Sequence, residues 1–173
     1  MTVDFEYVTP SEPYFHFVKT LLITFLDGQE QEKFNASAMA DHVLERASIG
    51  SVIASSLGDE DPEKNPEYAD LPDDEFEKIA QKCNAERDVY GFISMISLTW
   101  SWKKLDWLSL VYKYICDKAD KCLGAQPNKL KDFKALLEGK NVGLLVSERL
   151  VNMPPDVVPD LHSQLPDDLA FTK

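Results

Sequence analysis

The chain has 173 residues, a length that fits one domain with a single core. Its 44% hydrophobic and 10% aromatic content is that of a globular protein and excludes a disordered one. A formal net charge of −12 disfavours non-specific attraction to nucleic acid or anionic lipid; it serves either solubility alone or the steering of a basic partner.

Val3 to Val8 sets Val3, Phe5 and Tyr7 against Asp4 and Glu6, the period of two of a half-buried strand. Thr9-Pro10 breaks it. Ser11 fits as a helix N-cap, with Glu12 and Pro13 in a first turn where a missing N–H costs nothing. The predicted helix carries Tyr14, Phe15, Val18, Leu21, Leu22, Phe25 and Leu26 and ends at Asp27-Gly28; so wide a stripe needs burial between sheet and neighbours. A shorter helix is predicted from near Asn35 or Ser37, using Met39, Val43, Leu44 and Ala47, with His42 beside the stripe in a structural role. Gly50 to Ser55 (GSVIAS) is a second strand.

From Gly58 to Asp88 the character changes. Asp59 to Glu77 holds ten Asp and Glu against one lysine, Lys64, with prolines at 62, 66 and 72. So little apolar surface cannot offset chain ordering, which predicts a mobile acidic insertion at about 58–88. Within it, Asp73 to Asn84 can form an exposed helix. Two readings stay open for its carboxylates: a contact surface for a basic partner, carried by Asp59, Glu60, Asp61, Asp73, Asp74 and Glu75, or a solvated loop.

Asp88 to Leu98 predicts a central strand, in which Gly91 marks a bulge or a close backbone approach. Trp100 and Trp102 follow. Leu105 to Cys122 predicts a long helix on Leu105, Leu108, Val111, Tyr112, Ile115 and Ala119, and Asn128 to Glu138 another. Val142 to Val146, with Gly143 inside it, is the pattern of a strand buried on both faces. Ser147, Glu148 and Arg149 are expected at its exit, where open α/β sheets present sites. Pro154-Pro155 stops ladder and helix alike, and Asp156 opens an amphipathic helix through Val157, Val158, Leu161 and Leu165. The tail from Pro166 to Lys173 is expected to fray.

No stretch approaches the ~18 apolar residues of a membrane span, and the start lacks a signal-peptide pattern. Cys83, Cys116 and Cys122 are an odd, sparse set without metal-ligand spacing, which fits free thiols in a reducing compartment. No HExxH, CxxC, GxSxG or GxxxxGK[ST] occurs, and His16, His42 and His162 stand on three different helices. Catalytic, cofactor and metal residues are therefore expected to be none. Glu148 could serve as a general base only with a raised pKa; the alternatives are pairing with Arg149 or a binding role, and Glu148 and Arg149 are kept as partner-binding candidates.

The blocks VGLLVSERLVNMPPDVVPDL (142–161), GFISMISL (91–98) and DFEY…YFHFVKTLL (4–22) resemble the BCCIP family, and GSVI (50–53) fits a further strand. LLVSERLVNMPP is the most specific part. The matches span most of the chain; the acidic insertion and the helices between 105 and 140 match more loosely. The resemblance implies a single α/β (α+β) domain over 1–173 like the GCN5-related N-acetyltransferases. Its sheet would be mixed, mostly antiparallel and flanked by helices, with no acetyl transfer. Enzymes of that fold cradle a coenzyme's pyrophosphate on backbone N–H groups of a glycine-bearing loop. Here Ser147 to Pro155 has no glycine, two prolines that cannot donate, and Glu148 to repel an anion, so no cofactor is expected.

The family further implies a chaperone or adaptor in ribosome biogenesis, binding a basic large-subunit ribosomal protein of the L-fourteen class. Its setting would be the nucleus and nucleolus, with shuttling to the cytoplasm. A phosphoinositide kinase, nuclear transport factors and cell-cycle regulators are further implied partners, without direct DNA or membrane binding. A scaffold in cell-cycle or DNA-damage signalling and an acetyl-CoA-dependent enzyme remain the alternatives. Family members also begin with a longer acidic tail and continue for about another half-sheet. The strand at 142–146 is thus expected to have an open edge.

Overall fold

Phe5–Val8 (β1), Gly50–Ser55 (β2), Val89–Ser97 (β3) and Gly143–Arg149 (β4) form one four-stranded sheet in that spatial order, each strand antiparallel to the next. It is seen in a computed structural model that describes residues 4–27, 32–45, 49–98, 103–139 and 142–171. The helices are Phe15–Leu22 (α1), entered through a 3-10 turn at Glu12–Tyr14, Ala36–Glu45 (α2), Asp73–Ala85 (α3), Asp106–Leu123 (α4), Pro127–Leu137 (α5) and Val157–Phe171 (α6). Val3, Gly28, Ala47, Trp100, Trp102 and Lys173 lie outside the described residues.

The near-continuous apolar runs of β2 and β3 follow from burial on both faces. Because successive side chains in a strand point to opposite sides, Val52 and Phe92 join one core, with Val18, Leu22, Met39, Val43, Trp107 and Leu108 from α1, α2 and α4. Ile53 and Ile93 enter a second, smaller core against Met153, Leu161 and Leu165. In β1 the same alternation sends Phe5 and Tyr7 toward the second core and Val8 toward the first. α6 therefore lies over β2 and β3, and α1, α2, α4 and α5 cover the opposite face.

Gly91 does both things its position suggested. The β2–β3 register slips between Ile53 and Ala54, which pair with Gly91 and Val89 and leave Tyr90 as the extra residue of a bulge. A Cβ on Gly91 would also sit 2.9 Å from the Arg149 Cβ and from the Glu148 carbonyl oxygen.

Some expectations are corrected. β4 is not buried on both faces: among the described residues it pairs with β3 alone, and its residues alternate toward solvent. Ser147, Glu148 and Arg149 are not an exit from that strand but its last three ladder positions, opposite Ile93, Phe92 and Gly91. The segment from Pro166 to Ala170 does not fray; it continues α6, with Pro166 inside the helix. Leu165 and Leu169 on the second core hold it there, as do bonds from Gly50 N–H to Asp168 (3.0 Å) and Ser51 Oγ to Gln164 (3.0 Å). α1 closes at Leu22, although Leu26 beyond it remains buried. α5 starts at Pro127 rather than after Asn128, because proline fits the first helical turn.

Candidate partner-binding surface

Antiparallel pairing brings the start of β1, the end of β2, the start of β3 and the end of β4 to one end of the sheet. There Arg87, just ahead of β3, is buried. Its Nε donates to the Ser55 carbonyl at 2.8 Å, and its Nη2 forms a salt bridge with Glu6 Oε2. The other Glu6 oxygen accepts from Ser56 Oγ at 2.7 Å, and Lys64 Nζ stands 3.9 Å away. Lys64 also pairs with Asp61 at 3.1 Å, while Asp61 accepts from the Glu63 N–H at 3.0 Å.

These charges hold each other in the ionised state. The Ser56 hydroxyl, then Arg87 and Lys64, keep the Glu6 carboxyl below its ordinary range against the opposing effect of burial. Burial pushes Asp61 up, but Lys64 and the Glu63 N–H outweigh it and leave it lowered. Tyr14 is buried on the same cleft, and that burial raises its phenol pKa although Arg87 pulls it down. The cleft, about 410 Å³, has Glu6, Tyr14, Asp61, Glu63, Asn84 and Arg87 in its walls.

The acidic segment is pinned to β1 by this network. Asp59 and Glu60 are exposed on the 3-10 turn Gly58–Glu60, and Asp61 follows, half-buried. Asp73, Asp74 and Glu75 are exposed in the first turn of α3, where the partial positive charge of the helix N-terminus favours carboxylates. A neighbouring depression of about 450 Å³, lined by Glu63, Lys64, Tyr68, Asp73 and Phe76, brings Glu63 beside Asp73, the first residue of α3. The Lys78–Asp74 pair, at 3.7 Å and largely exposed, neutralises little of this acidic charge.

Glu148 and Arg149 do not join these acidic groups. They share the same end of the sheet but sit on β4, with β2 and β3 between them and β1. Nor do they pair with each other, because adjacent strand residues point to opposite faces. Glu148 shares a face with its partner Phe92, half-buried, and burial raises its carboxyl pKa. Arg149 is exposed on the other face.

Sequence reasoning missed Glu6, Arg87 and Tyr14. Glu6 was counted with the polar side of an alternating strand, but that side faces the larger core and needs a cation. The one local hint was a lone arginine closing an acidic stretch. Elsewhere, His16 and His162 are exposed on α1 and α6, and His42 on α2 lies 5.4 Å, ring to ring, from Trp107. Among the described residues no group of His, Cys, Asp and Glu could hold a metal ion, and no helix is long and apolar enough to cross a membrane.

Comparison with known proteins extends the picture. The model of the BCCIP family matches residues 1–173. A zebrafish (Danio rerio) protein named Protein BCCIP homolog is 35% identical over 175 residues, covering 97% of this chain and 48% of the relative. The Schizosaccharomyces pombe protein bcp1 is 27% identical over 171 residues, covering 99% and 50%. The crystal structure of BCP1 from Saccharomyces cerevisiae superposes with a TM-score of 0.55 at 26% identity, covering 99% of this chain and 59% of that one. The chain thus spans about half the length of the curated relatives it matches.

Proposed function

Because this chain belongs to the BCCIP family, we propose that it is a non-enzymatic chaperone or adaptor that binds a basic client through its acidic flank. The client is a large-subunit ribosomal protein of the L-fourteen class, escorted between cytoplasm, nucleus and nucleolus. In the same proposal the sheet and its helices form an acetyltransferase-like scaffold that transfers no acetyl group. One observation carries the reading: Glu63 and Asp73, one from each acidic group, line a single depression together with Lys64, which the Glu6–Arg87 pair ties to the sheet. An anchored bank of carboxylates can cover the rRNA-binding lysines and arginines of a free ribosomal protein at less entropic cost than a loose tail.

The test is a calorimetric titration of such a ribosomal protein at rising salt. Affinity should fall with ionic strength, and should drop at least about tenfold when Asp59, Glu60, Asp73 and Asp74 are all replaced by lysine. Unchanged affinity in that variant removes the proposal. A parallel titration with acetyl-CoA should give no saturable heat; saturation would favour the enzyme reading instead.

A further inference from the structure

We propose that the cleft beside β1 is a receptor for one arginine side chain of the basic client, with the guanidinium held among carboxylates and the methylene stem on an apolar wall. The inference rests on the client reading above and names the part of the client that the chain grips.

Every wall of the cleft, about 410 Å³, comes from residues 6–87, on the β1 side of the sheet. Val8, Leu57, Pro62 and Ala80 supply its apolar share, a surface on which an aliphatic stem can lie. Its charges are unevenly committed. Arg87 is neutralised by Glu6 and donates to the Ser55 carbonyl, and Asp61 is shared with Lys64. The exposed Glu63 carboxylate enters no ion pair among the described residues. Three carboxylates (Glu6, Asp61, Glu63) against two cations (Arg87, Lys64) leave one negative charge, which one monovalent cation balances.

Tyr14 adds an independent observation. The residue is 1% exposed, and its hydroxyl is buried with no hydrogen-bond partner among the described residues. Arg87 lies close enough to lower the phenol pKa and Glu6 close enough to raise it, which places the hydroxyl beside that pair; the guanidinium is outside hydrogen-bond geometry. A buried hydroxyl left unbonded costs stability, and an N–H brought in by a guest recovers it.

The spread of acceptors selects the guest. They come from separate places: Tyr14 ahead of α1, Asp61 and Glu63 in the acidic segment, and half-buried Asn84 on α3. A planar fork of five N–H donors reaches acceptors arranged around a cleft, whereas an ammonium offers three from one point. A bare metal ion does not fit, since among the described residues no group of His, Cys, Asp and Glu could hold one.

The probe is N-acetyl-arginine amide, titrated to about 20 mM into the isotope-labelled 173-residue chain and followed by amide NMR. Signals of Tyr14, Glu63, Asn84 and Arg87 should shift saturably, and those of Leu161 and Leu165 in the second core should not. The citrulline analogue, of the same shape without the charge, should bind at least about tenfold more weakly. Tyr14→Phe should weaken the arginine probe about fivefold and leave the thermal midpoint unchanged or higher, because the hydroxyl has no partner inside the protein to lose. Glu63→Gln, at an exposed site, should weaken the probe as well. A silent cleft, equal binding of the citrulline analogue, or equal binding by both variants overturns the proposal. The ribosomal-protein titration separates it from the reading beneath it, since replacing Asp59, Glu60, Asp73 and Asp74 changes no cleft residue. If the probe fills the cleft but no ribosomal protein binds, the client reading falls and the arginine site stands. If the ribosomal protein binds wild type and Tyr14→Phe equally, the proposal falls and the client reading stands.

Discussion

Breaking the Glu6–Arg87 pair from one side should cost far more than removing it whole. The Arg87 side chain is 4% exposed and that of Glu6 30%. In Glu6→Gln the guanidinium stays buried without its counter-charge. In Arg87→Met the carboxylate is stranded and the Ser55 carbonyl loses its donor. One-sided loss of a buried pair costs about 3–5 kcal/mol, because the remaining charge has no water to solvate it. Glu6 keeps some solvent contact, which puts each single variant near the lower end. At about 3 kcal/mol, the thermal midpoint of a domain this size falls by roughly 6–12 °C. The double variant Glu6→Gln/Arg87→Met carries no buried charge and should lose less than either single variant. Urea unfolding of the four proteins, followed by circular dichroism, closes the cycle. Additive costs, with coupling below about 0.5 kcal/mol, would refute the reasoning. Acid supplies a second arm. The folded Glu6 carboxyl lies below its ordinary value of 4.5, so its contribution is complete above that pH and is lost as pH falls through the lower folded value. The stability gap between wild type and Glu6→Gln should therefore shrink in acid below pH 4.5.

Gly91→Ala should destabilise by about 1–3 kcal/mol in the same assay, because its Cβ meets strand backbone that cannot step aside; wild-type stability would deny the close approach. Leu161→Ala, at a site 1% exposed in the second core, should cost about 2–5 kcal/mol. Hydrogen exchange should then accelerate most in α6 and the strands beneath it, and acceleration confined to α1 and α2 would contradict the layering. Glu148→Gln should stabilise at neutral pH. Burial raises this carboxyl, so its penalty appears as pH rises through the folded value and is absent in acid, where both side chains are neutral. A melting point above wild type at about pH 7 and equal to it at about pH 3 is expected; equality at both would refute it.

The local pattern of the chain determined most of its elements. The alternation of 5–8, the double-sided apolar runs of 50–55 and 89–97, and the stripes of α2 and α4 were legible, because side-chain period reports directly which faces lose water. The carboxylate bank at 59–75 was equally plain. Only the tertiary structure decided the rest. An apolar run reads the same at a sheet's centre and at its edge, so β4 could not reveal that, among the described residues, it pairs with β3 alone. Pro166 reads as a helix breaker until Leu165, Leu169 and Asp168 dock on the sheet. Glu6 and Arg87, 81 residues apart, meet because three strands fold past each other. Periodicity is written by near neighbours along the chain. Pairing across a sheet is set by which distant partners the completed core leaves within reach, and no short window of residues contains that.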